Sequence, residues 1–171
     1  MQTSSFQRLI ADVRTTLASG LRDQAAGRVA SVLEPYLSDL GLLEAESLQP
    51  DPERYRQYVL HVEPEGFFTI AALVWLPGQK TPIHDHISWC TVGVYQGCEL
   101  EVQYALESTS VKSAPTATCS ALRKAGEVQA LTPGADVHEV ANPGPGIAIS
   151  LHIYGADLNE IGSSIRRSYQ L

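Results

Sequence analysis

Between Gly78 and Gly97 the chain reads GQKTPIHDHISWCTVGVYQG, with two histidines two positions apart. Glycines bound this run, and β-branched and aromatic residues fill its second half, which is typical of strands joined by tight turns. Side chains two apart on a strand point to the same face. We therefore expect His84 and His86 to project together while Asp85 projects from the opposite face.

Short β-rich runs lie on both sides of this stretch and predict a mainly β fold. Turns that contain Gly or Pro separate them, a pattern that favours an antiparallel sandwich or barrel. The Ser-, Thr- and Ala-rich residues 107–124 predict a loop with a weak strand, and residues 156–167 predict a short helix. The predicted strands are Tyr55–Val62, Phe67–Leu76, Thr81–Tyr95, Cys98–Leu106, Glu127–Leu131, Val137–Ala141 and Ile147–Tyr154.

The N-terminal part of the chain predicts two helices. The first is expected to end near Gly20, and the second is predicted from about Arg22 to about Asp39. Pro35 should shorten or kink the second helix, because proline lacks a backbone N–H. Both helices are interpreted as a structural cap on the β region. The residues that mark the first helix by their helical period are Phe6, Leu9, Ile10, Val13 and Leu17.

Length and composition predict a single domain: a helical cap over residues 1–49, a β barrel over 50–155 and a tail over 156–171. Twelve Lys and Arg against 19 Asp and Glu give a net charge of -7 and a pI near 5.1, without the basic surface that nucleic-acid binding needs. No apolar run approaches the roughly 20 residues of a membrane span. With no visible secretion signal and only three cysteines, we expect a cytoplasmic, reduced protein.

A third histidine, His138, lies on another predicted strand after a Pro-Gly turn. A single histidine is more often a core or surface residue than a ligand. Here the pair His84 and His86 together with His138 favours a metal site over chance. Three neutral imidazoles can bind a metal on one face and leave open positions opposite.

Ser150, His152 and Tyr154 alternate along the last predicted strand and share one face. One interpretation is a strand whose polar face meets solvent, as antiparallel sheets often have. If this face instead lines a barrel, His152 is either a fourth metal ligand or part of a hydrogen-bonded chain. We prefer the chain, in which Ser150 orients His152 and His152 orients the Tyr154 hydroxyl.

The histidine spacing resembles the two motifs of the cupin superfamily. Gly78, His84, His86 and Gly97 match the first motif, and Pro133, His138 and Asn142 match the second. This resemblance implies a double-stranded β-helix, or jelly-roll barrel, with the metal inside. The glutamate ligand usual in the first motif is replaced by Cys90, so a site of three histidines is favoured.

Longer motifs resemble the cysteine dioxygenase family of thiol dioxygenases over about Arg54 to Arg167. That resemblance implies mononuclear non-haem Fe(II) held by His84, His86 and His138, and a catalytic relay of Ser150, His152 and Tyr154. The implied reaction combines a small thiol with O2 to give a sulfinic acid, both oxygen atoms ending on sulfur. The matching stretches are Thr81-Pro82-Ile83-His84-Asp85-His86, Trp89, Gly93-Val94, Gln96-Gly97 and Ser150-Leu151-His152-Ile153-Tyr154-Gly155-Ala156.

The substrate prediction depends on Gln57, which stands where cysteine dioxygenases carry an arginine that binds the substrate carboxylate. This feature resembles the bacterial 3-mercaptopropionate dioxygenase branch, whose arginine lies beyond the tyrosine. Arg167, or its neighbour Arg166, is then expected to bind the carboxylate of 3-mercaptopropionate or L-cysteine. The alternatives are a solvated tail at these two residues, or Arg56 as the clamp.

Cys90 also matches the cysteine that family members link to the active-site tyrosine through a thioether. A link between Cys90 and Tyr154 is therefore a hypothesis, and a small buried packing residue is the alternative. A second class of function stays open at this point: a metal-binding cupin without redox chemistry, such as a Zn or Mn isomerase or a small-ligand sensor. The oligomeric state is not predicted.

Overall fold

The computed structural model describes residues 3–18, 20, 24–44, 48–106 and 114–170. Helices α1 and α2 lie near the N-terminus, and a short helix α3 lies near the C-terminus. Ten strands make up most of the remainder. The helices are α1 Ser4–Ala18, α2 Ala25–Leu33, a 3-10 helix Glu34–Ser38, and α3 Leu158–Ile161. The strands are β1 Arg56–Val62, β2 Thr69–Trp75, β3 Ile83–His86, β4 Cys90–Gln96, β5 Cys98–Ala105, β6 Thr116–Lys124, β7 Val128–Leu131, β8 His138–Ala141, β9 Ala148–Tyr154 and β10 Ile165–Tyr169.

The strands form two five-stranded sheets in which every described pairing is antiparallel. Sheet A has the order β1-β2-β9-β4-β7, and sheet B has the order β10-β3-β8-β5-β6. Strands that follow one another in the chain therefore often belong to opposite sheets. This is the mainly β, double-stranded β-helix architecture that the sequence predicts.

The predicted run Thr81–Tyr95 is two strands rather than one. Strand β3 lies in sheet B and β4 lies in sheet A, so the chain crosses between the sheets at residues 87–89. The crossing places the two histidines of β3 and Cys90 of β4 on facing walls of the same interior. A periodicity of two does not reveal this change of sheet, because both halves keep a strand-like composition.

Two further segments differ from the prediction. Residues 116–124 form a full edge strand, β6, whose pairing with β5 was not evident because both of its faces are largely exposed and polar. The neighbouring residues 107–113 of the predicted loop lie outside the described residues. In the tail, α3 ends at Ile161 and the chain then forms β10, which pairs with β3. The predicted tail helix is therefore wrong beyond Ile161.

The second helix is also shorter than predicted. Helix α2 ends at Leu33, and a 3-10 helix continues to Ser38 with Pro35 in its first turn. Proline is tolerated in a first turn, where its missing N–H would have no helical partner. The predicted start near Arg22 lies outside the described residues.

Helices α1 and α2 cover the outer face of sheet A. Ile149, Leu151 and Ile153 of β9 point to this side and pack in one buried cluster with α1 and α2. Gly93 permits the close approach, since a Cβ there would lie 2.7 Å from a methyl carbon of Leu33. Strand β9 is thus buried on both faces, which explains why its polar residues do not meet solvent.

The opposite face of sheet A looks into the space between the sheets. A second buried cluster lines this interior and combines apolar residues with Cys90 and Tyr154. Histidines, carboxylates and hydroxyls are buried beside it. Within the ranges described above, no helix is long and apolar enough to cross a membrane.

Candidate active site

The structure brings the three predicted histidines together inside the barrel. His84 of β3 stands directly opposite His138 of β8 in the antiparallel register, and His86 lies two residues along β3 on the same face. All three are buried, with 3–4% of their surfaces exposed. Their candidate ligand nitrogens lie within 4.8 Å of one another.

One nitrogen of each ring is held by an acceptor behind it. The Nδ1 atom of His84 lies 2.9 Å from the carbonyl oxygen of Pro82. The Nδ1 of His86 lies 2.9 Å from Asp136 Oδ2, and that of His138 lies 2.8 Å from Glu101 Oε1. These contacts leave the Nε2 atoms for the common centre, and Nε2 of His138 is buried without a hydrogen-bond partner among the described atoms.

The electrostatics keep the His84 ring available as a neutral ligand. Burial and the neighbouring His138 and His86 lower the pKa of His84 to about 3. Burial alone would raise the pKa of Glu101, but hydrogen bonds from His138 and Gln129 outweigh it and lower that pKa to about 2. Imidazoles backed by ionised carboxylates make stronger metal ligands with fixed orientations. Three such nitrogens on one face suit Fe, Zn, Cu or Ni, and the donor set fits an iron ion.

A chain of hydrogen bonds lies on the facing wall, along β9. Ser150 Oγ lies 2.9 Å from His152 Nε2, and Tyr154 Oη lies 3.1 Å from His152 Nδ1. All three side chains are buried. Burial and the nearby site histidines lower the pKa of His152 to about 3, so its ring is neutral in this chain. Because both nitrogens of His152 are engaged within the chain, the geometry favours the hydrogen-bonded interpretation over a fourth ligand.

Cys90 and Tyr154 are directly opposite each other across the β4–β9 pairing. The register irregularity in this pair lies between Val94 and Gln96, several residues away, so both side chains belong to the interior cluster. Burial raises the pKa of the Cys90 thiol and of the Tyr154 hydroxyl well above their usual values. The two predicted cross-link partners are thus adjacent, while the link itself stays a prediction.

The three site histidines, together with His152 and Tyr154, line one small cavity of about 50 Å³. Its outer end is formed by Tyr55, by the largely exposed Gln57, and by Ser163 and Ser164 ahead of β10. Strand β10 contributes Ile165, which stands opposite His86. The exposure of Gln57 and Ser163 puts the mouth of the cavity at these residues, and contact of Gln57 with substrate stays a prediction.

Arg166 and Arg167 are not part of this cavity. Arg167 is the register partner of Asp85, whose side chain points away from the histidines, and an irregularity at this point adds Arg166 to the same side. Arg166 forms an ion pair with the buried Asp85, its Nε lying 3.2 Å from Oδ2. Both arginines are exposed. Neither arginine therefore lines the cavity in this structure, because the bulge places both on the side of Asp85, and the arginine clamp stays a prediction.

Arg56, the alternative clamp residue, does not line the cavity either. It precedes Gln57 on β1 and so points to the other face of the strand, where its guanidinium lies 4.6 Å from the ring centre of Tyr58. Among the residues that line the cavity, none is a lysine or an arginine. The mouth offers amide and hydroxyl donors in their place.

Three side chains that shape the site were not assigned roles from the sequence: Glu101, Asp136 and Trp75. Glu101 and Asp136 hold two of the histidines, and Trp75 Nε1 lies 3.3 Å from Ser150 Oγ. A signal for Glu101 exists, since Glu99 and Glu101 put two carboxylates on one face of a predicted strand. Periodicity could not tell whether that face was inside or outside.

Two solved bacterial structures are similar to part of this chain. A conserved protein with a double-stranded β-helix domain from Klebsiella pneumoniae is 21% identical, with a TM-score of 0.48 over 66% of this chain and 85% of that one. A cupin superfamily protein from Desulfitobacterium hafniense is 13% identical, with a TM-score of 0.47 over 64% of this chain and 84% of that one.

The family assignment comes from the sequence as a whole. The model of cysteine dioxygenase type I matches residues 1–167, which covers the helical cap, strands β1 to β9 and the first three residues of β10. Together with the three buried histidines, this match supports a metal-dependent thiol dioxygenase. The chain belongs to the cysteine dioxygenase type I family.

Proposed function

We propose that this protein is an iron(II)-dependent dioxygenase that oxidises a small thiol to its sulfinic acid. The balanced reaction is R–SH + O2 → R–SO2H, in which sulfur supplies the electrons and no further reductant is needed. The observation that carries the proposal is that side chains from the two sheets face each other across one cavity. Three buried histidines from sheet B face the hydrogen-bonded chain of Ser150, His152 and Tyr154 from sheet A.

His84, His86 and His138 would hold the metal. Bound there, Fe(II) would supply redox activation of O2 beside the thiol sulfur. The three imidazoles are uncharged ligands, so they leave the double positive charge of the metal available to favour a thiolate over a thiol. Glu101 and Asp136 fix the ring orientations from behind, where they do not compete for the open side.

Tyr154 is proposed to act on the substrate side of the cavity. Its hydroxyl is held by His152 and lies beside His86, the ring centres being 6.2 Å apart. The high pKa of Tyr154, caused first by burial, keeps the phenol protonated and able to donate a hydrogen bond. The hydrogen-bonded chain therefore positions a donor before substrate binds. No free energy is then needed to orient that donor during the reaction.

The substrate is proposed to be a small thiol with a carboxylate, either 3-mercaptopropionate or L-cysteine. A cavity of about 50 Å³ favours a few heavy atoms between the histidines and the mouth. Gln57 and the buried Ser164 are neutral hydrogen-bond donors in the cavity lining, and we propose that they receive the carboxylate in place of a guanidinium. No nucleic acid or membrane partner is proposed. A cytoplasmic setting suits the free Cys90 and a free thiol substrate, since both need reducing conditions.

The test is to load metal-free protein separately with Fe(II), Zn(II) and Mn(II) and to follow oxygen uptake. The thiols to compare are L-cysteine, 3-mercaptopropionate, cysteamine and mercaptosuccinate. We expect uptake with iron alone, fastest with one of the small carboxylate thiols and matched by sulfinate. Tight binding of zinc or manganese with no oxygen uptake under any condition would instead support a non-redox cupin.

A further inference from the structure

Glu99 is a buried carboxylate that belongs neither to the metal site nor to the chain of Ser150, His152 and Tyr154. It lies on β5 with 4% of its surface exposed, on the interior face that it shares with Glu101. Its Oε1 atom is buried and has no hydrogen-bond partner among the described residues. Since burying an unpaired carboxylate oxygen is costly, its place calls for an explanation.

Glu99 lies next to Ser150, the residue at one end of the hydrogen-bonded chain on β9. Ser150 and Trp75 lie close enough to the Glu99 carboxyl to lower its pKa, against the larger opposing effect of burial. Trp75 Nε1 also lies 3.3 Å from Ser150 Oγ. Ser150 is therefore placed between a carboxyl group on one side and His152 on the other.

We propose that Glu99 is the fourth member of this chain, a positioning residue whose proton decides in which direction the chain donates its hydrogen bonds. The inference deepens the proposed function, on which it rests for the role of Tyr154. It concerns the hydrogens of Ser150, His152 and Tyr154 and needs no bond to be made or broken other than the O–H of Glu99, whose proton exchanges with solvent.

When Glu99 is protonated, it donates to Ser150 Oγ, and Ser150 donates its own hydrogen to His152 Nε2. His152 then carries its proton on Nδ1 and donates it to the oxygen of Tyr154. The phenol hydrogen of Tyr154 is then available on the cavity side, where Ser164 also lies within hydrogen-bond reach of the hydroxyl. This is the direction in which the chain offers a donor to substrate.

When Glu99 is ionised, it can only accept, so Ser150 donates to the carboxylate. His152 must then carry its proton on Nε2 and donate it to Ser150. The bare Nδ1 accepts the hydrogen of Tyr154, which turns the phenol donor away from the cavity. One proton on Glu99 thus reverses three hydrogen bonds.

The surroundings of Glu99 make both states accessible near neutral pH. Burial raises the pKa of Glu99 to about 7, against the opposing effects of Ser150, of Arg123 on β6 and of Trp75 on β2, while Glu101 on the same strand adds to the rise. On β8, His138 is held by Glu101 and Glu139 pairs with Lys80. The charge of Glu99 in turn raises the pKa of Cys90 and Tyr154, which places it within the electrostatic reach of the cavity.

The direct test is the tautomer of His152, read from its two ring nitrogens by 15N NMR. Zinc-loaded protein is the sample, because zinc is diamagnetic and keeps the three site histidines neutral, and a His152→Asn variant assigns the resonances. We expect the proton on Nδ1 below pH 7 and on Nε2 above it. In Glu99→Gln the tautomer should not change with pH, and in Glu99→Leu it should stay on Nδ1. The same titration of His152 in Glu99→Gln as in the wild type would overturn the proposal.

Kinetics of the iron-loaded enzyme give a second readout. The kcat of the wild type should fall as pH rises through about 7, and this fall should be absent in Glu99→Gln. The exposed Glu127→Gln is the matched control and should keep the wild-type pH profile. An unchanged fall in Glu99→Gln would contradict the role of Glu99. Failure of the wild type to oxidise any thiol would instead refute the proposed function, while the tautomer measurement would still decide the inference.

Discussion

The two walls of the cavity are built on different physical principles. On sheet B, each histidine is fixed from behind by a backbone carbonyl or by a buried carboxylate, and these carboxylates are ionised. On sheet A, Ser150, His152 and Tyr154 are neutral and are held by hydrogen bonds to one another and to Trp75. The side chains of sheet B are thus arranged to bind a cation, and those of sheet A are arranged to orient hydrogen-bond donors.

Because the two walls differ in this way, we expect substitutions on each wall to have different consequences. Damage to the sheet B wall should remove the metal, because charge and ligand geometry are lost together. Damage to the sheet A wall should leave the metal in place and slow the reaction. The outer surfaces of the two walls differ as well, since α1 and α2 cover sheet A while β10 reaches only the β3 edge of sheet B.

The largest effect is expected from the metal-binding histidines. His84→Ala, His86→Ala and His138→Ala should each abolish iron binding and activity while circular dichroism reports an intact fold, since each removes one of three ligands. Metal analysis of the purified variants measures this directly. His61→Ala is the control, because His61 bonds to Glu63 away from the cavity and should leave iron content unchanged. Stoichiometric iron in the double variant His84→Ala/His86→Ala would refute the site.

The second largest effect is expected from the carboxylates that hydrogen-bond to the metal-binding histidines. Glu101→Gln removes the ionised acceptor from His138 Nδ1 and should weaken metal affinity by about 10- to 100-fold. Competition with a chelator measures this affinity. Glu139→Gln is the matched control, since Glu139 follows His138 in sequence but pairs with Lys80 on the surface. Equal affinities for these two variants would show that the carboxylate behind His138 does not support binding.

On the sheet A wall, Tyr154→Phe and His152→Ala should keep a full complement of iron. Their kcat should fall on the order of tenfold to hundredfold, or oxygen uptake should exceed sulfinate formation, since the positioned donor is lost. Parallel measurement of iron, oxygen and sulfinate separates these outcomes. If His152→Ala loses iron as completely as His138→Ala does, His152 is a ligand and the hydrogen-bonded chain is the wrong interpretation.

The sequence predicted this pair of walls better than it predicted the mouth of the cavity. Alternation fixes which side chains share a face, so His84 with His86 and Ser150 with His152 follow from a period of two. The outward turn of Arg167 depends on an irregularity in the pairing of β10 with β3, and one extra residue reverses a side chain. No local pattern records such a bulge.

Burial on both faces of β9 was equally hidden from local reasoning. Ile149, Leu151 and Ile153 indicated one buried face, and alternation alone left the polar face open to solvent or to the barrel interior, so the preferred interior placement depended on the barrel interpretation. The helical cap covers the apolar side and the facing sheet covers the polar side, which is tertiary information. The roles of Glu101 and Glu99 were missed for the same reason, because which face of β5 lies inside is decided by its partner strands.

At the mouth, Gln57→Ala should raise KM for 3-mercaptopropionate and L-cysteine more than for cysteamine. A hydrogen bond to a charged group contributes about 1.5–3 kcal/mol, so the rise should be roughly tenfold or more. Arg167→Ala is the comparison variant and should leave KM unchanged, since Arg167 points outward. A larger effect from Arg167→Ala than from Gln57→Ala would return the carboxylate site to the arginine.

The smallest expected effect is a partial thioether between Cys90 and Tyr154. Their opposed positions on β4 and β9 permit a link that would fix the tyrosine ring, with O2 as the oxidant that takes up the two hydrogens. Intact-mass analysis after prolonged turnover should show a fraction lighter by two hydrogens, and peptide mapping should join the two segments. Cys90→Ser should remove that fraction and lower kcat only slightly. Full recovery of both unmodified peptides would leave Cys90 as a packing residue.

The central claim is that the cavity transfers both atoms of O2 to one sulfur. The most direct measurement is turnover of iron-loaded protein with 3-mercaptopropionate or L-cysteine under 18O2, followed by mass spectrometry of the product. The account predicts a sulfinic acid that carries two 18O atoms, formed in equal amount to the oxygen consumed and absent with His138→Ala. A disulfide with reduced oxygen species, or a sulfinate with only one labelled atom, would contradict it.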